Sequence, residues 1–483
     1  MNFKHFYKIL LLLIVTGLSV YCSNNGDEDA QLSVSAKTVS FGPEGGTSEE
    51  ITIAANSKWS VSNSAASWLQ LSKESGDSGN TAITFTASAN GTAYTRSVVL
   101  TVVADNGQAR RITIEQTANK YPTYNLSPKA PDMTGMNHTA TEVIAAIKYG
   151  INIGNTFELR GVNADPTEEN IKFIKQIGFN AVRLPCGPNY VGNADKSSVA
   201  KIDADYLNKI KKVVQWCVEN DLYVLVNIHW DGGWLENNIT AVKQEEINAR
   251  QKALWEQMAT TLRDFDEHLM FASANEPNAD DDAETKILLT FHKTFIDAVR
   301  STGGRNTYRT LVVQGHPEHI YAENFAAFKD PTPNRLAFEW HNYTPSSMTI
   351  LADDKINGGW DNVRFYWSEA NHSTIEPDRN CQYGEEAEIL VDYTRIKTKF
   401  IDKGIPCLMG EYSSNRWNAT SKFKPKELDK HNKSIDDWYT FNTKQCKAIG
   451  GAPFVWDTGG IFDRGTNTVN DQRSLNAIMA AGN

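Results

Sequence analysis

A chain of 483 residues with 48 Lys+Arg against 58 Asp+Glu, a formal net charge of −10, and 40% hydrophobic, 10% aromatic and 22% charged residues has the composition of a soluble folded protein. This composition excludes collagen-like repeats, global disorder and a polytopic membrane protein, and at roughly 100–200 residues per domain it leaves room for two to four domains, or for one small domain and one large barrel. The acidic balance, with no dense Lys/Arg stripe interleaved with aromatics, excludes nucleic acid as an expected partner.

At the N-terminus Lys4, His5 and Lys8 precede an apolar run from Ile9 to Val15, and Gly17 to Cys22 (GLSVYC) follow. That layout reads as a secretory signal over residues 1–22, too short to stay as a membrane span. Cys22 stands where a bacterial lipoprotein carries its lipidated first residue, although Tyr21 replaces the small residue usual before it. The polar, acidic stretch beginning SNNGDEDA makes residues 23–31 a tether. It resembles the acidic export signals of Bacteroidetes surface lipoproteins, which implies a lipid anchor in the outer membrane and a cell-surface location. The other cysteines, Cys186, Cys217, Cys381, Cys407 and Cys446, are too scattered for CxxC or zinc-like spacing, and five is an odd number, so at least one stays unpaired.

Over residues 32–118 the text becomes short alternating runs such as EEITIAA, AITFTAS, RSVVLTVVA and RRITIEQT. They are punctuated by Gly45-Gly46, Gly76, Gly79, Asn90-Gly91 and Asn106-Gly107. Period-two runs between turn signals predict a small antiparallel, immunoglobulin-like β-sandwich of about seven strands. Its Gly45-Gly46-Thr47, Trp59-Ser60-Val61-Ser62, Trp68-Leu69 and Ile112 to Gln116 text resembles the BACON module, which implies a spacer without catalysis. Trp59 and Trp68 are expected in packing rather than as sugar platforms. Residues 119–135 open with NKYPTYNLSPKAP, whose three prolines read as a semi-extended linker.

From residue 136 to 483 apolar strand-like runs alternate with helical text, for example Glu168 to Gly178, Asp203 to Asn220 and Arg250 to Phe265. Eight strand candidates, Tyr149–Gly154, Asn180–Leu184, Leu222–Ile228, Leu269–Ala274, Thr310–Gln314, Leu336–Trp340, Ile405–Met409 and Ala452–Trp456, predict an α/β chain folded as a (β/α)8 barrel. The rival, a doubly wound open sheet that binds nucleotide, lacks GxGxxG or P-loop text after any of these strands.

A barrel of this kind carries its site at the C-terminal strand ends. Those ends supply Asn152 and Asn155, Arg183, His229-Trp230-Asp231, Asn275-Glu276-Pro277, His341-Asn342-Tyr343, Gly410-Glu411-Tyr412 and Trp456-Asp457. Glu276 and Glu411, on strands four and seven, face each other across the barrel, and a carboxylate pair in a cleft is what glycosidic cleavage requires. Neither a metal nor another cofactor is needed for it, because the carboxylic acid supplies the protonation that a Lewis acid otherwise would. GxSxG and HExxH text, the mark of esterases and metalloproteases, does not occur.

The motifs YGINIGNTFE (149–158), FNAVRLP (179–185), VLVNIHWDGGW (224–234), FASANEP (271–277), EWHNY (339–343), LMGEYS (408–413) and FVWDTGG (454–460) resemble glycoside hydrolase family 5 in order and over the whole domain. The resemblance implies Glu276 as acid/base, Glu411 as nucleophile, Asn275 on a sugar 2-hydroxyl, and His341 and Tyr343 beside the reacting sugar. It further implies Tyr343 bonded to Glu411, Arg183 fixing Glu411 and lowering its pKa, His229 at the strand-three histidine, and Trp456 under the sugar. Members with GINIGNT and IHxDGGW text are mostly endo-β-1,4-glucanases, including xyloglucan and mixed-linkage glucan cleavers. Plant cell-wall β-glucan is therefore the expected ligand, with β-mannan as the alternative backbone and a non-catalytic glycan binder as the alternative class. Many members read His-His where this chain has His229-Trp230. Trp234, in the loop after strand three, is the expected sugar platform. The long stretch from Thr344 to Gly404 holds Trp360, Phe365, Tyr366 and Trp367, which either shape the cleft or pack the loop on itself. A monomer is the expected assembly.

Overall fold

The computed structural model describes residues 31–92, 94–119, 121–159, 161–191, 200–354 and 362–481. The signal, Cys22, residues 23–30 of the tether and Trp360 lie outside the described residues. Two compact units divide the chain, one reaching Asn119 and the other running from Lys120 to the end, with residues 91–93 grouped with the second.

The first unit is all β. Its strands are shorter and more numerous than the pattern predicts, forming a five-stranded and two three-stranded sheets. The glycine-rich turns cut the runs into pieces as short as Gly46–Thr47 and Ser75–Gly76. Arg96–Ala104 pairs antiparallel with Ala109–Gln116 around a turn in which Gly107 takes φ +84°, a left-handed conformation that favours glycine. One pair departs from the antiparallel expectation, because Thr38–Phe41 runs parallel to the Ala109–Gln116 strand. Trp59 is buried in the core with Phe85, Leu100 and Ile112, and Trp68 packs against that core under the Arg96 guanidinium, 4.5 Å from its ring centroid. Both tryptophans thus pack, as expected.

The second unit is a closed barrel of eight parallel strands: β1 (Gly150–Asn152), β2 (Ala181–Cys186), β3 (Tyr223–Ile228), β4 (Leu269–Ala272), β5 (Leu311–Gln314), β6 (Leu336–His341), β7 (Cys407–Glu411) and β8 (Ala452–Val455). Each coincides with a predicted run, and β1 pairs with both β2 and β8, so no edge is left for the open-sheet alternative. Helices fill the crossovers. The Thr167 hydroxyl accepts the Asn170 N–H while Asn170 accepts the Thr167 N–H, a capping box that starts Glu168–Gln176. Gln244–Leu262 begins six residues before the expected Arg250, since its first turn is polar and has no apolar period to reveal it.

Side chains alternate across each strand, so Val182 and Leu184 pack outward under the helices while Ala181 and Arg183 point inward. Ala181, Leu225, Met270, Val312, Ala337, Leu408 and Phe454 fill the interior, and Val143 and Ile144 of the helix Ala140–Ala146 pack against them. The segment read as a linker is held to this unit. The backbone N–H groups of Tyr124 and Asn125 donate to Glu256, at 2.6 and 3.1 Å, and Lys129–Pro131 pairs with Gly303–Gly304. The cysteines at 186, 217, 381, 407 and 446 are buried, and Cys186, Cys217, Cys407 and Cys446 form no disulfide among the described residues. Among the described residues no helix is long and apolar enough to cross a membrane.

Candidate active site

The interior alternation sets the site. On β6, Glu339 and His341 both point inward, and on β2 Arg183 joins them. On β7 strict alternation would send Leu408 and Gly410 inward and Glu411 out. A register shift between β6 and β7, where Trp340 faces Met409 but His341 faces Glu411, turns Glu411 into the barrel. The extra residue is Gly410, where a Cβ would overlap the Glu339 carboxylate.

Arg183, fully buried, is the hub. Its Nη1 donates to Glu411 Oε1 at 2.7 Å and to Asn152 Oδ1 at 3.0 Å. Its Nη2 donates to Asn275 Oδ1 at 2.7 Å and lies 2.9 Å from Glu339 Oε1. With its oxygen taken, the Asn275 side chain keeps its amide N–H groups for a ligand. Asn152 in turn donates to the Gly410 carbonyl at 2.9 Å, which pins the bulge. Tyr343 donates its hydroxyl proton to Glu411 Oε2 at 2.9 Å. The His341 ring bridges Glu276 Oε1, at 2.7 Å from Nδ1, and Glu339 Oε1, at 3.1 Å from Nε2. Glu276 itself sits at φ +49°, and its backbone N–H donates to Gln314 Oε1 at 2.6 Å, which holds this unfavourable conformation in place. His229 stacks on Trp456 with ring centroids 5.4 Å apart and planes 11° apart, its Nδ1 3.9 Å from Glu411.

Electrostatics follow from burial and from this network. Burial lowers the proton affinity of His341, but Glu411, Glu276 and Glu339 outweigh it and raise the imidazole from 6.5 to about 9. His229, buried beside the positive charges of Arg183 and His341, is pushed well down and is neutral. For Glu276, burial pushes upward, yet the His341 hydrogen bond and charge, with the charge of Arg183, bring the carboxyl below its ordinary value. Glu411 differs from expectation. Burial raises it, and the opposing charges of His341 and Arg183 do not overcome that loss of solvent, so Arg183 fixes the carboxylate without lowering its pKa overall. Three carboxylates face two cations here, so the groups are coupled and the carboxyl pair titrates as a unit.

One oxygen of Glu276, one of Glu411 and a nitrogen of His341 lie within 4.8 Å of one another. That closeness fits the roughly 5–5.5 Å carboxyl separation of retaining glycosidases and not the roughly 6.5–9.5 Å of inverting ones. The pair opens on a cleft of about 760 Å³, lined among others by Tyr343, Glu411, Trp456 and Asp457. The remaining cluster of metal-ligating type among the described residues, His316, Glu318 and His319, is already partnered, Glu318 by Arg395 at 3.3 Å and His319 by Asp282 at 3.2 Å.

Of the residues expected from sequence, Glu276, Glu411, Arg183, His229, Asn275, His341, Tyr343 and Trp456 come together. Two do not. Asn155 takes no part in the hydrogen bonds or ring stack just described, and its backbone N–H donates to the Glu158 carboxylate. Trp234 is 6% exposed and packs in the barrel core, because Gly232 and Gly233, at φ +80° and +70°, turn the chain back inward before it. The exposed tryptophan of that loop is Trp230, 49% open. Phe365, Tyr366 and Trp367 are likewise buried, Phe365 and Tyr366 with Leu351 and Val363, so the loop after β6 packs on itself and reaches the cleft through Thr349 and Ile350 instead. Sequence reasoning gave no role to Glu339 or Gln314. The signal for Glu339 was present, two residues before His341 on the same face of one strand.

A parallel barrel with two close carboxylates held by Arg, Tyr and His at its C-terminal mouth defines a retaining glycoside hydrolase. The family model "Cellulase (glycosyl hydrolase family 5)" matches residues 136–459, and the "Viral BACON domain" model matches residues 31–119. The chain belongs to glycosyl hydrolase family 5 and carries a BACON-type N-terminal domain. It is similar to a xyloglucan-specific endo-beta-1,4-glucanase of Bacteroides ovatus, 30% identical over 98% of this chain and 95% of the other. A solved Bacteroides ovatus GH5 xyloglucanase in complex with a XXXG heptasaccharide superposes with a TM-score of 0.66 at 29% identity, over 94% of this chain and 99% of that one. A family 5 xyloglucanase from Paenibacillus pabuli gives 0.59 at 26% identity, over 71% of this chain and 100% of that one.

Proposed function

We propose that this chain is an endo-acting β-1,4-glucanase whose substrate is xyloglucan, cleaved with retention by double displacement. The proximity of Glu276 and Glu411, within 4.8 Å in a cleft open to solvent, carries the reading of the chemistry. The substrate rests on the similarity to the Bacteroides ovatus xyloglucan-specific enzyme along nearly the whole chain.

The division of labour follows from the surroundings of each carboxylate. Glu411 is 6% exposed and receives hydrogen bonds from Arg183 and Tyr343, so both oxygens are aimed and cation-paired, as a nucleophile requires. Glu276 is 53% exposed and bonded to His341, so a sugar chain laid over it displaces water and raises its pKa, which favours the protonated form that an acid requires. Glu411 attacks the anomeric carbon while Glu276 protonates the departing oxygen, leaving a glycosyl ester on Glu411. Glu276, now ionised, takes a proton from water, and that water opens the ester from the same face. Asn275 is placed to hold a hydroxyl of the reacting sugar, and Trp456 its ring.

The secretory signal, the cysteine at its end and the acidic tether support export and lipid attachment at Cys22, with the enzyme displayed on the outer membrane as a monomer. Labelling with a radioactive fatty acid, lost in Cys22→Ser, tests the anchor. Reducing-end release from xyloglucan, mixed-linkage glucan, carboxymethylcellulose and glucomannan, by the wild type and by Glu276→Ala and Glu411→Ala, tests the enzyme. Activity highest on xyloglucan and lost in both variants is expected; a preference for glucomannan would overturn the substrate, and inactivity on all four would overturn the enzyme.

A further inference from the structure

His292, on the helix Asp282–Ser301, is fully buried facing the barrel and takes no part in the double displacement. Its Nε2 lies 2.8 Å from the Gln314 carbonyl and its Nδ1 2.8 Å from the Ser273 hydroxyl. A carbonyl only accepts, so Nε2 carries the proton and Nδ1 accepts from Ser273, which settles the tautomer. Burial brings the imidazole down from 6.5 to about 4, so it is uncharged at neutral pH. The Phe328 ring stands edge-on to it, with centroids 6.3 Å apart and planes at 87°. Phe291, Phe295 and Ile296 of the same helix are core residues, and an apolar side chain at 292 would join them without the cost of desolvating two ring nitrogens.

The two bonds join strand ends that lead into the site. The ladder between β4 and β5 pairs Ala272 with Val312 and closes with the Ser273 N–H on the Val312 carbonyl at 3.1 Å. Beyond it the imidazole spans the strands, from Ser273, which shortly precedes Glu276 in the chain, to Gln314, the last residue of β5. Gln314, 4% exposed, returns the contact with its side chain, whose Oε1 accepts the Glu276 N–H at 2.6 Å. Glu276 needs that hold, because it stands at φ +49° and its side chain is half open to solvent, bonded to His341 at 2.7 Å. A carboxyl so exposed is aimed by its backbone. We infer that His292 is a positioning residue for the acid/base: by tying Ser273 to the Gln314 carbonyl it fixes the Gln314 side chain, and through it the backbone conformation from which Glu276 reaches the glycosidic oxygen. The inference rests on the assignment of Glu276 as acid/base and deepens it. His292 is shut off from substrate, so its effect is confined to the steps in which Glu276 moves a proton.

The test is kcat/KM of the full chain on two substrates that differ in their need for an acid: β-1,4-glucohexaose, whose sugar leaving group must be protonated, and dinitrophenyl β-cellobioside, whose phenolate departs unaided. The variants are His292→Asn, His292→Gln, Gln314→Leu, the double variant H292N/Q314L and Glu276→Ala, with thermal unfolding of each. His292→Asn, whose short amide keeps the Ser273 contact and loses that to Gln314, is expected to fall roughly tenfold or more on glucohexaose and to stay within about threefold on the dinitrophenyl substrate. His292→Gln, whose longer amide N–H reaches the Gln314 carbonyl, restores most of the loss. Gln314→Leu reproduces it, and the double variant is no worse than Gln314→Leu, because both changes act through one bond. Equal losses on the two substrates, multiplied losses in the double variant, or a His292→Asn enzyme within about twofold of wild type on glucohexaose overturn the positioning role. If His292→Asn does not fold, Ser273→Ala removes the other end of the bridge, and the same selective loss or its absence decides. Glu276→Ala separates the two readings: an equal loss there on both substrates overturns the acid/base assignment and the positioning role with it, whereas a selective loss there without one in His292→Asn overturns the positioning role alone.

Discussion

Replacing Glu339 with Gln removes one negative charge from the centre of the site while keeping its shape. Glu339 is fully buried, its Oε1 2.9 Å from Arg183 and 3.1 Å from His341, and the two cations outweigh burial to hold it below its ordinary pKa, so it is ionised at neutral pH. In the wild type three carboxylates meet two cations, and the excess negative charge raises the proton affinity of the Glu276–Glu411 pair. In Glu339→Gln the ratio is two to two, and every remaining group binds protons less tightly. Across the imidazole the lost charge is roughly 8 Å from Glu276, which at an effective dielectric of about 20 is about 2 kcal/mol, or about 1.5 pKa units. The acid form of Glu276 is then lost at lower pH. Both limbs of the kcat/KM profile should move toward acid, the basic limb by about 1–1.5 units. Glu339 also raises His341, so the imidazole, followed by NMR of labelled histidine, should titrate below its wild-type value of about 9. A basic limb that stays in place or moves to higher pH, with the fold intact, would refute the charge count on which the assignment of acid and nucleophile depends.

Four further outcomes follow from the same geometry. Gly410→Ala should reproduce the acid shift of Glu339→Gln in the pH–rate profile, because its Cβ displaces the Glu339 carboxylate, and should destabilise the barrel by about 1–3 kcal/mol in urea unfolding. Tyr343→Phe removes the hydroxyl donor of Glu411 Oε2; at about 1.5–3 kcal/mol for a hydrogen bond to a charged group, kcat should fall roughly 10- to 150-fold with little change in unfolding midpoint. Trp234→Ala should cost about 3–5 kcal/mol of stability, read by urea unfolding, since the ring is core and not platform. His341 has a folded-state pKa raised from 6.5 to about 9, so its contribution is full below 6.5 and lost as pH rises through 9; the stability difference between wild type and His341→Asn should shrink by up to about 3 kcal/mol over that window.

Most of the barrel was legible because a parallel strand buried on both faces writes an apolar run, and a closed barrel puts the polar residue that ends each run at one mouth. Glu276 and Glu411 were found that way, and so were Arg183, His341 and Tyr343. What stayed hidden depends on backbone conformation that residue type does not encode. The tryptophans at 230 and 234 share one loop and one chemistry; the run of positive φ from Asp231 to Gly233 decides that the first meets solvent and the second the core. The sign of the Glu411 shift was likewise beyond sequence, because an adjacent arginine predicts a lowered pKa only while solvent remains, and at 6% exposure the loss of water outweighs the gain of a cation. The same residue shows how the two kinds of information join. Alternation along β7 alone would turn Glu411 away from the site, and the motif LMGEYS carries the correction as a glycine, since Gly410 is the position at which the strand can bulge without displacing Glu339. The bulge, and with it the nucleophile's place beside Tyr343, thus depends on a residue that contributes no side chain to the site.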